Sequence, residues 1–588
     1  MIAAEQLDDF RPLRENLGAF LRPDTLHPAV ANAAENGQSR VQVADALAYP
    51  TYVHPAAEPD PHGFLSDAAL PPSDGACILG VIDDAIPLTH PRLTVGGATR
   101  LTSVWLQGAA YRTGADAHAP GSDLAFGREL RGAQIDALCA AHTQSGTLDE
   151  EAVLRAAGAL DPSRGPLHGG GRRSRHGAAV TDLMAGLAPD DPDAARFPVI
   201  GVALPPEVTR DTLGTFAPFY ILSATLHILH RARRLCRWIE AKRGLPENSL
   251  RLPLVINLSY GVTAGPKDGM GLIERFQDAV AAESDHDDTL GPVRFVIPTG
   301  NHRLSRGRAF LTPDETIAWH LPPDDATPTF AEIWGPVRDT LPDEPMQITL
   351  TTPGGAAART AFTEHDTVSD LNTDTAHLAR CYLSARDTNG GGKRESVILA
   401  LPPTASLTGG ATTPSGRWHL SVEGTGPFDL HVQRDDSIRA YRSGGRQSRL
   451  DDGRYRTHLP SGRVLETDPD DPGPLRRSGT VNAYACGSRQ LRVTGTMRDG
   501  RPLPYAAQPD GPDALPTGID LAATADWGPG RRGVPAAGAY AASLTWMSGT
   551  SAAAPQIARA LARHLASGGD PATPPAAPPT LRRALREW

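Results

Sequence analysis

Three short apolar runs limit what this chain can fold into more than any other feature. Cys77–Ile82, Leu254–Leu258 and Phe295–Ile297 are unbroken rather than alternating. A strand with one solvated face alternates; an unbroken run suits a strand buried on both faces, as in a parallel sheet. Each run stops at polar or small residues: Asp83-Asp84, Ser259-Tyr260-Gly261 and Pro298-Thr299-Gly300-Asn301. Open α/β sheets collect their chemistry at the carboxyl ends of strands. The same residues also have plainer uses, since aspartate caps turns and asparagine after glycine makes them.

Two further segments start helices. In SRHGAAVTDLMAG (174–186), His176 precedes a helix-like stretch with Val180, Leu183 and Met184 on one side. Gly177 lets the backbone come close at the helix start. In MSGTSAAAPQIARALAR (547–563), Gly549-Thr550-Ser551 leads into small residues and a helix carrying Ile557, Leu561 and Ala562 inward. A serine at a helix start is ordinarily an N-cap. Here small residues on both sides also permit a substrate backbone to approach, and the helix N-terminus favours negative charge developing beside the serine.

At 588 residues, the chain is long enough for three or four structural units and a large core. With 57 basic against 67 acidic residues the net charge is −10, which argues against a nucleic-acid partner. Five dispersed cysteines show no metal or redox spacing and read as free thiols of a reducing compartment. The N-terminal MIAAEQLDDFRPLRENLGAF lacks the basic start and apolar run of a signal peptide. No stretch approaches 18 apolar residues. A cytoplasmic protein without a membrane partner is therefore expected.

Asp, His, Asn and Ser in this order, each at a strand end or helix start, resemble the subtilisin-like serine proteases. VIDDAI (81–86) looks like the aspartate box of that family, HGAAV (176–180) its histidine box, PTGN (298–301) its oxyanion segment and GTSAAAP (549–555) its serine box. INLSYG (256–261) resembles the strand that pairs with substrate. The resemblance implies an α/β fold, with a mostly parallel central sheet flanked by helices. It implies a triad of Asp83, His176 and Ser551, with Asn301 as oxyanion donor and Ser259, Tyr260, Gly261, Thr299 and Gly300 binding substrate. Peptide hydrolysis needs no cofactor or metal. The match departs from the family at Ala85 and at Ala178-Ala179, where glycine and a threonine-histidine pair are usual, so a catalytically silent binding or scaffold protein is the alternative reading. Asp84 could be confused with the catalytic carboxylate; register favours Asp83.

The four residues are separated by 93, 125 and 250 residues, so insertions are expected. RLTSVWLQGAAYR (100–112) and FGRELRGAQIDALCAA (126–141) resemble segments of the clostridial germination proteases, a subgroup that carries a jelly-roll domain between the asparagine and the serine. Residues 312–477 fit such an insert. Gln347–Thr352 alternates, Ser396–Leu401 does so less cleanly, and RWHLSVE and FDLHVQ flank a Gly-Pro turn. The expected organisation is an N-terminal arm or prosegment (1–75), a first catalytic part (76–311), a β-sandwich insert (312–477), a second catalytic part (478–566) and a proline-rich tail (567–588). GTVNAYACG and LRVTG resemble strands preceding the serine box. Phe216–Arg243 reads as an amphipathic helix with His227 and His230 at its core edge or surface. Trp418 and Tyr441 form no aromatic binding platform. Asp285-His286-Asp287-Asp288 and Asp468–Asp471 carry oxygens suited to a structural calcium, though neither makes a full loop motif. The implied partner is a protein or peptide substrate; insertions around the site suit one dedicated protein.

Overall fold

The computed structural model describes residues 64–110, 124, 126–161, 176–214, 216–313, 315–374, 376–406, 409–436, 444–470, 472–510, 519–528, 530, 532–538, 540–541 and 543–573. Most of the arm or prosegment, Tyr441, Asp471 and the end of the proline-rich tail lie outside them.

The unbroken runs are strands of an eight-stranded sheet. In chain order its strands are β1 (Ile78–Asp83), β2 (Leu101–Leu106), β3 (Arg128–Arg131), β4 (Val199–Ala203), β5 (Leu254–Leu258), β6 (Val293–Pro298), β7 (Gln490–Met497) and β8 (Ile519–Asp526). Across the sheet they run β8-β7-β6-β5-β1-β4-β2-β3. Neighbours are parallel except the edge pair β2–β3. β1 lies between β4 and β5, with Gly80 opposite both Ile200 and Ile256. The chain thus passes to the other side of β1 after β4. Such a reversal opens a crevice at the carboxyl ends of the strands, where Asp83 ends β1.

Helices cover both faces. On one side α1 (His176–Ala185) and α4 (Thr550–Ala566) pack over Leu79, Val81, Val255 and Val296. On the other, α2 (Ala217–Arg243) and α3 (Leu272–Ser284) pack over Ile78, Ile82, Ile256 and Phe295. Successive residues of β1 enter opposite cores, which is why its run cannot alternate. Each large side chain so buried contributes about 1.5–3 kcal/mol. Gly80 is required by close packing: a Cβ there would lie 2.9 Å from the Ile256 side chain and 3.1 Å from Ile228 of α2. Among the described residues, no helix is long and apolar enough to cross a membrane.

α2 departs from its expected pattern. His227 and His230 are buried rather than at an edge or surface. The Ser103 hydroxyl lies 3.2 Å from His227 Nε2 and donates to Glu129 at 2.7 Å; Glu129 also takes two 2.8 Å hydrogen bonds from Arg231. Burial pushes His227 well below its ordinary range and keeps it neutral. Burial opposes the charge on Glu129, but Arg231 and Arg131 outweigh it and hold the carboxyl well below the usual carboxylate range. A helical stripe reports only its own polarity. It cannot show that strand β3 brings Glu129 beneath it.

The chain between β6 and β7 builds two antiparallel sheets that share one core. The larger contains Arg308–Leu311, Phe428–Val432, Thr329–Trp334, Lys393–Leu401, His377–Asp387 and Thr367–Asn372; the smaller contains Ala357–Arg359, Gln347–Thr351, Gly416–Glu423, Thr316–Leu321 and Arg449–Asp451. The larger sheet takes in Arg308–Leu311, the first strand after β6. Gly416–Glu423 and Phe428–Val432 are not paired with each other; the turn between them carries the chain from one sheet to the other. Alternation gives the face that each strand buries, not its partner. The segment GTVNAYACG forms no strand. It is a connection with a short 3₁₀ turn, Ala483–Ala485, and the strand begins only at Gln490.

Candidate active site

Asp83 ends β1 and His176 begins α1. Their side chains meet, with Nδ1 2.7 Å from Asp83 Oδ1, which also accepts the Asp84 N–H at 2.8 Å. Asp84 turns the other way and accepts the Gly177 N–H at 2.6 Å. The two adjacent carboxylates therefore have different tasks: one holds the imidazole, the other holds the start of the helix that carries it. Gly177 allows this, since any Cβ there would overlap the Ala85 carbonyl and lie 2.9 Å from Asp83 Cβ. Asp83 is 5% exposed and His176 39%, so the pair is sealed at the carboxylate end and open at the imidazole end. Burial alone would lower the His176 pKa. The charge and hydrogen bond of Asp83, with the charge of Asp84 behind them, overcome it and push the histidine up to about 9.

Asn301 follows β6, and Ser551 lies in the first turn of α4. Asn301 Oδ1 accepts from the Thr550 N–H at 3.0 Å and from its hydroxyl at 3.2 Å. The Thr550 hydroxyl in turn accepts the Gly300 N–H at 3.1 Å. Thr550 thus fixes the acceptor end of the asparagine amide and leaves Nδ2 as a donor with no protein partner among the described residues. Gly549 has φ of 98°, and a Cβ on it would sit 3.1 Å from that Nδ2. The glycine-threonine-serine order is legible in these terms: room for the amide, an anchor for it, then the hydroxyl. Ser551 lines the same cleft as Asp83, His176 and Asn301. No hydrogen bond joins it to His176. Hydrogen bonds of this kind are often long before substrate is bound.

The walls of the cleft are the segments after β5 and β6. Ser259, Tyr260, Gly261 and Gly300 line it, with Pro298. Thr299 does not; its backbone ties down the wall, its N–H donating to Val493 and its carbonyl accepting from the Asn482 N–H. The Tyr260 hydroxyl donates to the Asp211 carbonyl at 3.0 Å, so its ring braces a neighbouring loop. Among the described residues, Gly261 offers an N–H and a carbonyl without partners, a free backbone edge. Asn482, in the connection before β7, joins the walls: its amide nitrogen donates to the Tyr260 carbonyl at 3.0 Å and the Pro298 carbonyl at 3.2 Å.

The antiparallel insert reaches the cleft as well. Gln433 accepts the N–H groups of Thr263 and Ala264 at 3.0 and 3.1 Å and donates to the Leu213 carbonyl at 2.9 Å. Arg434 follows and lines the cleft, paired with Asp436. Below them, Arg308 bonds Asp429 and Asp510, and Lys267 lies 3.0 Å from His431 Nδ1. His302, also in the cleft, is pushed down to about 4 by burial, with Arg434 adding to the effect. Asn482, Thr550, Gln433 and Arg434 were not singled out in the sequence. For Thr550 the signal was its place between Gly549 and Ser551. For the other three no local pattern marks a role, because their partners are distant in the chain.

Several carboxylates of the acidic runs are engaged by the protein's own groups. Asp285 pairs with Arg294 and Arg489, and Asp287 with Arg233. Asp468 accepts from the backbone of Arg477 and Ser478. Among the described residues, no three metal-capable side chains gather at one point.

No protein-family profile matches the chain, and no curated protein matches it. A solved structure does, that titled "Structure of the Clostridium Perfringens CspB protease". The likeness has a TM-score of 0.54 and 14% identity, and covers 84% of this chain and 84% of that one. At that identity the match speaks for architecture: over most of its length this chain has the fold of that protease.

Proposed function

We propose that this protein is a serine endopeptidase of the subtilisin type. The observation that carries the reading is the 2.7 Å Asp83–His176 contact, set in a cleft that also holds Ser551 and the free amide nitrogen of Asn301. Ser551 Oγ attacks the substrate carbonyl carbon, and His176 takes the hydroxyl proton. Asp83 fixes the imidazole by its Nδ1 and stabilises the imidazolium. The carbonyl oxygen becomes an oxyanion, which accepts from Asn301 Nδ2 and from the Ser551 N–H, a helix-start N–H with no intrahelical partner. Collapse breaks the C–N bond as His176 returns the proton to the leaving amine. Water, activated by His176, then releases the acyl group from Ser551. The free edge at Gly261 adds the substrate as an extended strand. The fold shared with a protease supports this reading, as does an insert bonded to the cleft walls, which suits a narrow range of protein substrates or one dedicated partner.

Treatment with a fluorophosphonate, followed by peptide mass spectrometry, tests it. The expected result is a single adduct on Ser551. An intact, folded protein without that adduct would leave the silent scaffold.

Asn301→Ala should lower kcat by about 10²–10³-fold with little change in KM, since the donor acts on charge that exists only in the transition state. Asn301→Asp, which keeps the acceptor for Thr550, should lose as much. A change confined to KM would contradict the assignment.

The pH dependence has a definite sign. A general base must be neutral, and His176 is held protonated up to about 9. kcat/KM should therefore rise with pH through that value. Asp84→Asn removes one charge that favours the imidazolium while keeping an oxygen for the Gly177 N–H. Its pH–rate limb should move to lower pH; a limb that stays in place would show that Asp84 does not act on His176.

A further inference from the structure

We infer that Asn482 closes the pocket for the side chain preceding the scissile bond, so that the enzyme accepts Gly, Ala or Ser there and refuses large residues. This deepens the serine-protease reading and rests on it. A carbonyl carbon beside Ser551, with its oxygen on Asn301 Nδ2 and its backbone along Gly261, places the preceding side chain between the segments 259–262 and 298–300. A glycine faces that space from each wall. With no Cβ on either wall the space would be wide, but both glycines look onto Asn482. A Cβ on Gly261 would overlap the Asn482 amide, and one on Gly300 would lie 3.5 Å from Asn482 Cβ. The side chain therefore occupies the ground that the glycines leave, and it forms part of the cleft surface.

The amide is also fully committed. Its oxygen accepts from Val262 N–H at 3.2 Å and Tyr484 N–H at 3.1 Å. Its nitrogen donates to the carbonyls of Tyr260 and Pro298. Two donors and two acceptor sites are all that an asparagine amide has. It has nothing left with which to recognise a polar substrate group, and moving aside would break four bonds in a buried place. The floor is fixed, polar-neutral and shallow. Selection is by size.

The test compares inactivation of the full chain by two peptidyl diphenyl phosphonates that differ only in the reacting residue, alanine or phenylalanine analogue. Alanine should react faster by about 100-fold or more. Asn482→Ala should narrow that ratio by raising the phenylalanine rate, whereas Asn482→Asp, which keeps the size, should retain the small-residue preference. Equal or faster reaction of the phenylalanine compound with the unmodified protein overturns the inference, and so does failure of both compounds on a protein that a fluorophosphonate labels at Ser551. Failure of the fluorophosphonate itself would overturn the underlying reading, which separates the two cases.

Discussion

Ser551→Ala is expected to remove peptide hydrolysis almost completely, a fall of about 10⁶-fold in kcat, since triad members act as a unit and any one absent disables the rest. The structure makes the variant a clean one. Among the described residues the Ser551 side chain has no hydrogen-bond partner, so its loss orphans none of them. The neighbouring Thr550, which anchors both Asn301 and Gly300, is untouched. α4 continues into Ala552, Ala553 and Ala554, all buried, and one more alanine does not disturb its first turn. The melting temperature should therefore match that of the unmodified protein, and so should affinity for a peptide substrate. Residual turnover comparable to the unmodified protein would place the chemistry elsewhere. A lost activity accompanied by a lowered melting temperature would also count against a purely chemical role for the hydroxyl.

How far the sequence could carry this picture depends on the range of the interaction. Leu254–Leu258 is readable as a buried strand because burial on two faces imprints itself on five consecutive residues. The start of α4 is readable because Asn301 crowds the place a Cβ on Gly549 would take, and the alanines after Ser551 are buried. Asn482 leaves no such imprint. It lies in a connection without periodicity, and its partners Tyr260 and Pro298 are 222 and 184 residues away. His227 is similar: its helix shows a stripe, but the Ser103–Glu129 pair that makes its burial tolerable belongs to two strands far earlier in the chain. Alternation within the insert reports its own core and gives no sign that, just past the strand Phe428–Val432, Gln433 ties down the backbone of Leu213, Thr263 and Ala264 and Arg434 lines the cleft. Local physics writes elements into the sequence. The contacts that shape the cleft are between elements, and a single sequence does not display them.

Removing the charge of Asp83 should separate two effects that a static view merges. In Asp83→Asn the amide oxygen can still receive the Asp84 N–H and stay near His176 Nδ1. What disappears is the main influence that overcomes burial and raises the histidine to about 9. Desolvation then acts with less opposition, and the His176 pKa falls. At neutral pH more of the imidazole is in the basic form that catalysis requires, so a count of competent protonation states alone would forecast a faster enzyme. The opposite is expected. The imidazolium formed during attack has lost its counter-charge in a site where Asp83 is nearly buried, and a neutral amide oxygen opposite Nδ1 stabilises it far less than a carboxylate does. kcat should drop by about 10⁴-fold, while the limb of the pH–rate profile moves towards acid. The pairing of slower turnover with an acid-shifted limb is the signature to seek in a pH–rate series on the variant. A merely structural aspartate would lower the amount of active protein and leave the limb where it was; a slower variant with an unmoved limb would remove Asp83 from the catalytic role.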